Sequence, residues 1–389
     1  MLTSLVKGLL LCCEAGDFPR NVTLQSDGSI NSQLSLSMIH NVTILIILIG
    51  GILGNIMILV VLSRPIFRGI SYLYLGGIAL AHLGVLVAWI PIYFRLRNQM
   101  GNAYPSVFYS AHLELVALNT CSIASTLIMT CLVIDRYIFI FFPTRIRAGK
   151  ARKNVRSFIL YSFILGFSAS APQTGMRMVY EEATSFTLRE NISVTGSSLW
   201  FVYIWSMVIL TRICPTAILV ILNSLIIKRF LELNARKKQF QSVNEQFRSQ
   251  KDNANLQNRN SRYREEQQLT VLTTCMISCF IVTMIPSLVA VALCHYHADH
   301  NYSPYLDLLL IVTELSNFAI YIFLYALCSE QFRKEIFKLL RSKCLEPTDP
   351  GPEQEAGEFE DFSRHGTTIR LTPEQTKLNS PGSPRNEIT

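Results

Sequence analysis

Charge is scarce in this chain: only 16% of its 389 residues are Asp, Glu, Lys or Arg, while half are apolar. That balance, with a positive mean hydropathy, excludes an ordinary soluble domain. Strict alternation is missing from the apolar runs, which excludes the strands of a membrane barrel. There is no glycine-rich phosphate loop, no zinc-protease helix motif and no readable set of nucleophile, base and orienting acid, so nothing calls for an enzyme or a cofactor. Inverted halves are also missing, which argues against a transporter or channel.

What is present is a series of apolar runs at about 40–63, 71–94, 107–140, 157–176, 199–227, 269–293 and 304–327. Each can cross a hydrocarbon core of roughly 30 Å as a helix, the form that leaves no backbone group unpaired in lipid. The expected fold is an all-α membrane protein, a seven-transmembrane helix bundle. Alternate loops carry 23 Lys and Arg on one side (64–68, 145–156, 228–264, 333–343) and six on the other. The positive-inside rule therefore places the N-terminus outside and the tail in the cytoplasm. Four glycosylation sequons, at Asn21, Asn41, Asn191 and Asn301, fall on or near the outer side in that topology. The net charge of +8 then belongs to the inner membrane face, where anionic lipid attracts it, and not to a nucleic-acid partner. The run Leu9–Cys13 is too short for a cleaved signal, so the first span is expected to act as the anchor. The reading divides the chain into an extracellular segment 1–38, a membrane domain 39–343 and a Pro-, Gly- and Glu-rich disordered tail 344–389.

Asp135-Arg136-Tyr137 closes the third run. Charge at the edge of hydrocarbon marks either a functional position or a simple boundary, where Arg snorkels and Asp caps. With seven spans and this triplet at the inner end of the third, the chain over about 40–343 resembles the rhodopsin-like family of G-protein-coupled receptors. Asn55, Pro91, Ser125, Pro172, Pro215, Phe280, Pro286, Asn317 and Tyr325 match that pattern span by span. The resemblance implies a plasma-membrane receptor in which Arg136 pairs with Glu266 at rest and is released, as helix six moves, to a heterotrimeric G protein. It also implies a short amphipathic eighth helix over 329–340 on the inner leaflet, with Phe332, Ile336, Phe337 and Leu340 on one face. Cys344 beyond it is a palmitoylation candidate or a free thiol. Thr367, Thr368, Thr372, Ser380, Ser383 and Thr389 are phosphate acceptors through which receptor kinases and arrestin would act.

Several positions depart from the family. His82 replaces the sodium-binding aspartate, and Tyr321 opens Tyr321-Ile322-Phe323-Leu324-Tyr325 in place of Asn-Pro-x-x-Tyr, which speaks against a sodium site around Asn55, Ser125 and Asn317. His82 is either the partner of Glu314 or a neutral core histidine. Arg212, three residues before Pro215, lies too deep to snorkel freely; it would anchor an anionic group of a ligand or pair with Glu314 or Glu114. Leu118, Ala319 and Met284 stand near the places of the monoamine aspartate, the retinal lysine and the tryptophan toggle. The ligand cavity is accordingly assigned to Arg212, Glu114, Leu118, Met284 and Glu314. The family disulfide is missing, since Ala111 stands near one end and the loop Gly175–Ser198 has no cysteine; a bridge from Cys12 or Cys13 to Cys294 stays open. His295, His297 and His300, with His40 and His112, form either a zinc or proton sensor or a solvated set. Two other classes stay open: a transporter using Arg212, Glu314 and His82 as a polar relay, and a non-signalling seven-helix partner or decoy.

Overall fold

The computed structural model describes residues 27–97, 99–142, 148–182, 185–244, 264, 267–285 and 304–344. Asn21, Asn301, Cys12, Cys13, Cys294, Glu266, Pro286, the three histidines 295, 297 and 300, the side chain of Cys344 and the tail acceptors lie outside the described residues. The described packing belongs to the unit Met1–Arg341.

Six helices are long and apolar enough to cross a membrane, and a bent pair supplies a seventh span. Helix α1 is Asp27–Leu62, α2 Ile70–Leu96, and α3 runs as Tyr104–His112 and Glu114–Phe141 with a break at Leu113. Helix α4 is Ala148–Ser170, ending in a 3-10 turn Ala171–Gly175 that contains Pro172. Helix α5 starts at Ser198, where the Ser197 hydroxyl caps the Trp200 N–H at 3.2 Å, and continues to Asn244. Helix α6 covers Gln267–Ile285, and α7 consists of Pro304–Ala319 and Tyr321–Cys328. Helix α8, Glu330–Cys344, follows after Ser329.

The packing has two apolar centres. One gathers Leu48, Leu86, Trp89, Leu118, Trp200 and Ile204; the other gathers Leu75, Met129, Leu219, Met276, Phe280 and Tyr325. Between spans, small residues permit close approach, since lipid offers no hydrophobic drive for helices to associate. A Cβ at Gly166 of α4 would lie 2.6 Å from the Thr120 carbonyl oxygen of α3. Many large apolar side chains, such as Ile46, Leu53, Leu160, Phe167 and Leu210, face outward.

A departure from the all-helical expectation lies between α4 and α5. Strands β1 (Arg177–Glu182) and β2 (Ser185–Glu190) form an antiparallel hairpin, with Arg177 opposite Glu190 and Glu182 opposite Ser185. This end of the bundle is called the hairpin end, and the opposite one the Arg136 end.

Two spans depart from a regular α-helix for identifiable reasons. Pro215 has no N–H for the carbonyl four residues before it, and α5 opens there into a π-helical turn, Ile209–Ile213. In α7 the two segments meet at 46° without any proline. The amide of Asn55 donates to the Phe318 carbonyl at 2.9 Å and to the Gly51 carbonyl at 2.8 Å, and Phe323 N–H turns back to Ile320 at 3.0 Å. A side chain inserted into the helical ladder thus takes the part that proline plays in other bent helices.

Candidate functional site

At the Arg136 end, Arg136 is buried to 5% exposure on α3, with its guanidinium carbon 5.3 Å from the Phe139 ring centre. Asp135 beside it is half-buried, and Tyr137 stacks on Phe141 at 4.4 Å. The tyrosine at the end of α7, Tyr325, is buried against the Phe332 ring of α8 at 4.9 Å. Phe332 therefore belongs to the bundle interior, whereas Phe337 on the same helix is exposed. The base of α6 carries two contacts that the sequence did not single out. Gln267 donates to Asn234 of α5 at 2.6 Å, and Arg264 pairs with Glu330 of α8 at 3.0 Å. The hydrogen bond from Lys334, then its charge and that of Arg264, hold the Glu330 carboxyl below its usual range.

Near mid-bundle, His82 is fully buried and its Nε2 lies 2.7 Å from the Ser125 hydroxyl. Phe318 and Tyr321 enclose the ring at 5.2 and 4.6 Å between centroids. The possible partnership of His82 with Glu314 is not formed among the described residues; the serine on the facing α3 takes that place. Asn55 is committed to the α7 bend, and the Asn317 side-chain oxygen meets no donor among the described residues.

Between α3, α5, α6 and α7 lies a narrow cavity lined by Ser125, Arg212, Phe280, Met284, Glu314 and Asn317, among others. It shares Ser122, Thr126, Arg212 and Met284 with a cleft of about 520 Å³, counting its open mouth, that reaches Asn119 and Gln173 toward the hairpin end. The π-helical turn carries Arg212 onto this wall. Arg212 has no carboxylate within ion-pair distance among the described residues, so of its two readings the pairing with Glu314 or Glu114 is not formed there. Glu314, 8% exposed, has one carboxyl oxygen without a donor. Asn119, Ser122 and Thr126 were passed over in the sequence, although their spacing of three and four residues puts them on one face of α3.

Two residues assigned to this cavity from sequence are placed elsewhere. Leu118 packs in the apolar centre with Trp89 and Ile204. Glu114 is wholly buried at the hairpin end, with Arg95 Nη1 at 2.5 Å and Arg177 Nη1 at 3.8 Å. A carboxyl group enclosed by two guanidinium groups has its charge answered there and leaves none for the cavity. Arg177, 4% exposed at the start of β1, also donates to the Ser110 carbonyl at 3.4 Å. His112 meets the Thr174 carbonyl at 2.7 Å, and Asn119 donates to Gln173 at the same distance. Polar contacts thus join α3 to the segment before the hairpin, in the region where the sequence offers no cysteine. Arg95 and Arg177 had counted only as loop charges; the acid in the first turn of an apolar helix was the signal that they were needed.

Among the described residues no group of three His, Cys, Asp or Glu could hold a metal ion. Of the sequons inside the described residues, Asn41 is half-buried in α1, and Asn191 donates its side-chain amide to Gly175 at 3.1 Å.

Comparison with known proteins adds an independent line. The family model described as 7 transmembrane receptor (rhodopsin family) matches residues 54–322. A Caenorhabditis elegans protein described as a probable G-protein coupled receptor is 28% identical over 213 residues, 51% of this chain and 48% of the relative. A second Caenorhabditis elegans protein with that description is 24% identical over 292 residues, covering 72% of this chain and 71% of its own. The FMRFamide receptor of Drosophila melanogaster is 24% identical over 318 residues, 76% of this chain and 53% of its length. The chain spans about half the length of the first and third of these relatives.

Proposed function

Because the match over residues 54–322 means that this chain belongs to the rhodopsin family of seven-transmembrane receptors, we propose that it carries an extracellular ligand signal to a heterotrimeric G protein at its Arg136 end. It is a multi-pass membrane protein, and its relatives are receptors and not enzymes. The observation that carries the coupling step is the burial of Arg136 at the end of α3, held within the bundle rather than snorkelled to water. Outward movement of α6 would uncover it and offer a cationic seat to the G protein. That movement must also break the Gln267–Asn234 and Arg264–Glu330 contacts, so these residues share the resting-state role assigned by resemblance to Glu266.

The loop charges and sequons support an outer hairpin and an inner Arg136 end in the plasma membrane. Helix α8, with Phe337 turned outward, suits the inner leaflet, where Cys344 would take a palmitate. Tail phosphates added by receptor kinases would recruit arrestin. The cleft between α3, α5 and α6 is the ligand seat, with Arg212, Met284 and Glu314 at its floor. One relative is named for the peptide amide FMRFamide, which favours a short peptide amide as a second reading of the ligand.

The test is basal and ligand-screened activation across the G-protein classes, compared between the parent and Arg136→Ala at equal surface expression. Activation that disappears in the variant supports the reading. Activation unchanged by the variant, or ion or substrate flux independent of Arg136, would overturn it in favour of another mechanism or a transporter.

A further inference from the structure

We infer that the cleft between α3, α5 and α6 seats a carboxylate on Arg212, so that its ligand is an organic acid with one anionic head and an apolar body. This deepens the reading of the cleft as the ligand seat and rests on it.

Among the residues lining the cleft, Arg212 is the one that carries charge, and no carboxyl group shares its walls. Arg212 has no hydrogen bond or ion pair among the described residues, although a guanidinium within a span needs a counter-charge. Glu314 does not supply it. The narrow space that these two residues line together has room for about one water, and the carboxyl group stays beyond ion-pair distance. The cleft is different. Its enclosed part has room for about three waters, and its mouth is open. A carboxylate and the carbon that bears it would displace that solvent, with the rest of the molecule lying in the mouth.

The donors that remain in the cleft match an anion. The hydroxyls of Thr126 and Thr211 already donate to the Ser122 and Met207 carbonyls, at 3.1 and 2.7 Å, and one N–H of Asn119 is spent on Gln173 at 2.7 Å. The Ser122 hydroxyl and the second Asn119 N–H are left, both on the α3 wall, with Arg212 on the α5 wall. Two donors on one side and a guanidinium fork on the other suit a planar carboxylate, whose oxygens accept from several N–H and O–H groups at once. An ammonium head would meet the guanidinium instead, and a neutral amide would leave the charge of Arg212 unanswered. Ile204, Met207, Val208 and Met284 line the same space and offer apolar surface to the body of the molecule.

The experiment uses the purified full-length protein in a non-ionic detergent without any G protein. Equilibrium binding and thermal unfolding are measured with isovalerate, hexanoate, phenylacetate and the capped dipeptide N-acetyl-leucyl-phenylalanine, each as the acid and as its primary amide. At least one acid should raise the unfolding midpoint and bind about tenfold or more tightly than its amide, the scale of a charge-assisted hydrogen bond. Preference among the small acids identifies a small-molecule acid, and preference at the dipeptide alone identifies a peptide C-terminus; either supports the seat. Arg212→Gln should erase the preference. Arg212→Lys should keep part of it, and Ser122→Ala, which leaves the charge in place, should reduce it severalfold. These two milder variants decide the matter if Arg212→Gln fails to fold. Equal binding of acids and amides, tighter binding of the amides, no binding of any probe, or a preference that survives Arg212→Gln would overturn the inference. Acid-selective binding without G-protein activation would count against the receptor reading and leave the seat standing. Activation by a ligand that lacks a carboxylate and is indifferent to Arg212 would do the reverse.

Discussion

Glu114 and Glu314 are both buried carboxyl side chains, each with one oxygen that lacks a hydrogen-bond donor, and their surroundings differ in counter-charge. Glu114 sits at the hairpin end between Arg95 and Arg177, two side chains from different elements that converge on it. Glu314 faces a cavity across which Arg212 stands beyond ion-pair reach. The first arrangement joins α2, α3 and the hairpin through one carboxyl group. The second joins nothing within the described residues, so its members are free to answer a third party. Burial is therefore common to a structural and a binding charge; what separates them is whether the protein itself supplies the counter-charge.

The largest effect should follow from Glu114→Ala, which removes the carboxyl group that Arg95 and Arg177 share. Breaking a buried pair from one side costs about 3–5 kcal/mol, and the unfolding midpoint in detergent should fall accordingly. Adding Arg177→Met should recover part of the loss; no recovery would break the comparison by showing that Glu114 acts through Arg95 alone. Next comes Ser125→Ala, which removes the neutral partner of His82 and leaves a buried imidazole without its hydrogen bond. About 1–3 kcal/mol is expected, the cost of an unmade buried bond. Glu314→Gln should change the unliganded midpoint by no more than about 1 kcal/mol, because no protein partner is lost. A drop as large as that of Glu114→Ala would show Glu314 to be structural after all.

The smallest effect belongs to the exposed pair at the Arg136 end. The Glu330 carboxyl is held below its ordinary pKa, so its contribution is present above the ordinary carboxylate range and is lost as pH falls through the lowered value. Hydrogen exchange along Glu330–Cys344 should rise only under that acid condition, and Glu330→Gln should remove the pH step. A step persisting in the variant would assign it to another group.

Much of the fold was legible because lipid imposes a length and a composition on whatever crosses it. The seven runs read from hydropathy correspond to the six long helices and the bent pair, with ends displaced where α1 begins at Asp27 and where α5 continues as a polar helix to Asn244. The hairpin was not legible: Arg177–Glu190 is short, polar and without a turn glycine, and its buried Arg177 looks like any loop arginine in one dimension. The bend of α7 was hidden for a related reason. Its break is stabilised by Asn55, 263 residues away from Phe318 in sequence. Within the cavity, Arg212, Met284 and Glu314 were identified by their chemical oddity in a membrane span. Leu118 and Glu114 were assigned by analogy of position, and packing directed both elsewhere.

The sequence by itself determined the number of spans, their helical form and the presence of charges that hydrocarbon cannot ignore, because those follow from composition and local length. Only the tertiary structure decided which buried charges answer one another. Glu114 with two arginines, His82 with Ser125 and Glu314 with no cation among the described residues are outcomes of helix rotation and of the π-helical turn in α5. An ion pair depends on distances of a few ångströms between residues far apart in the chain, and spacing along the chain does not encode them.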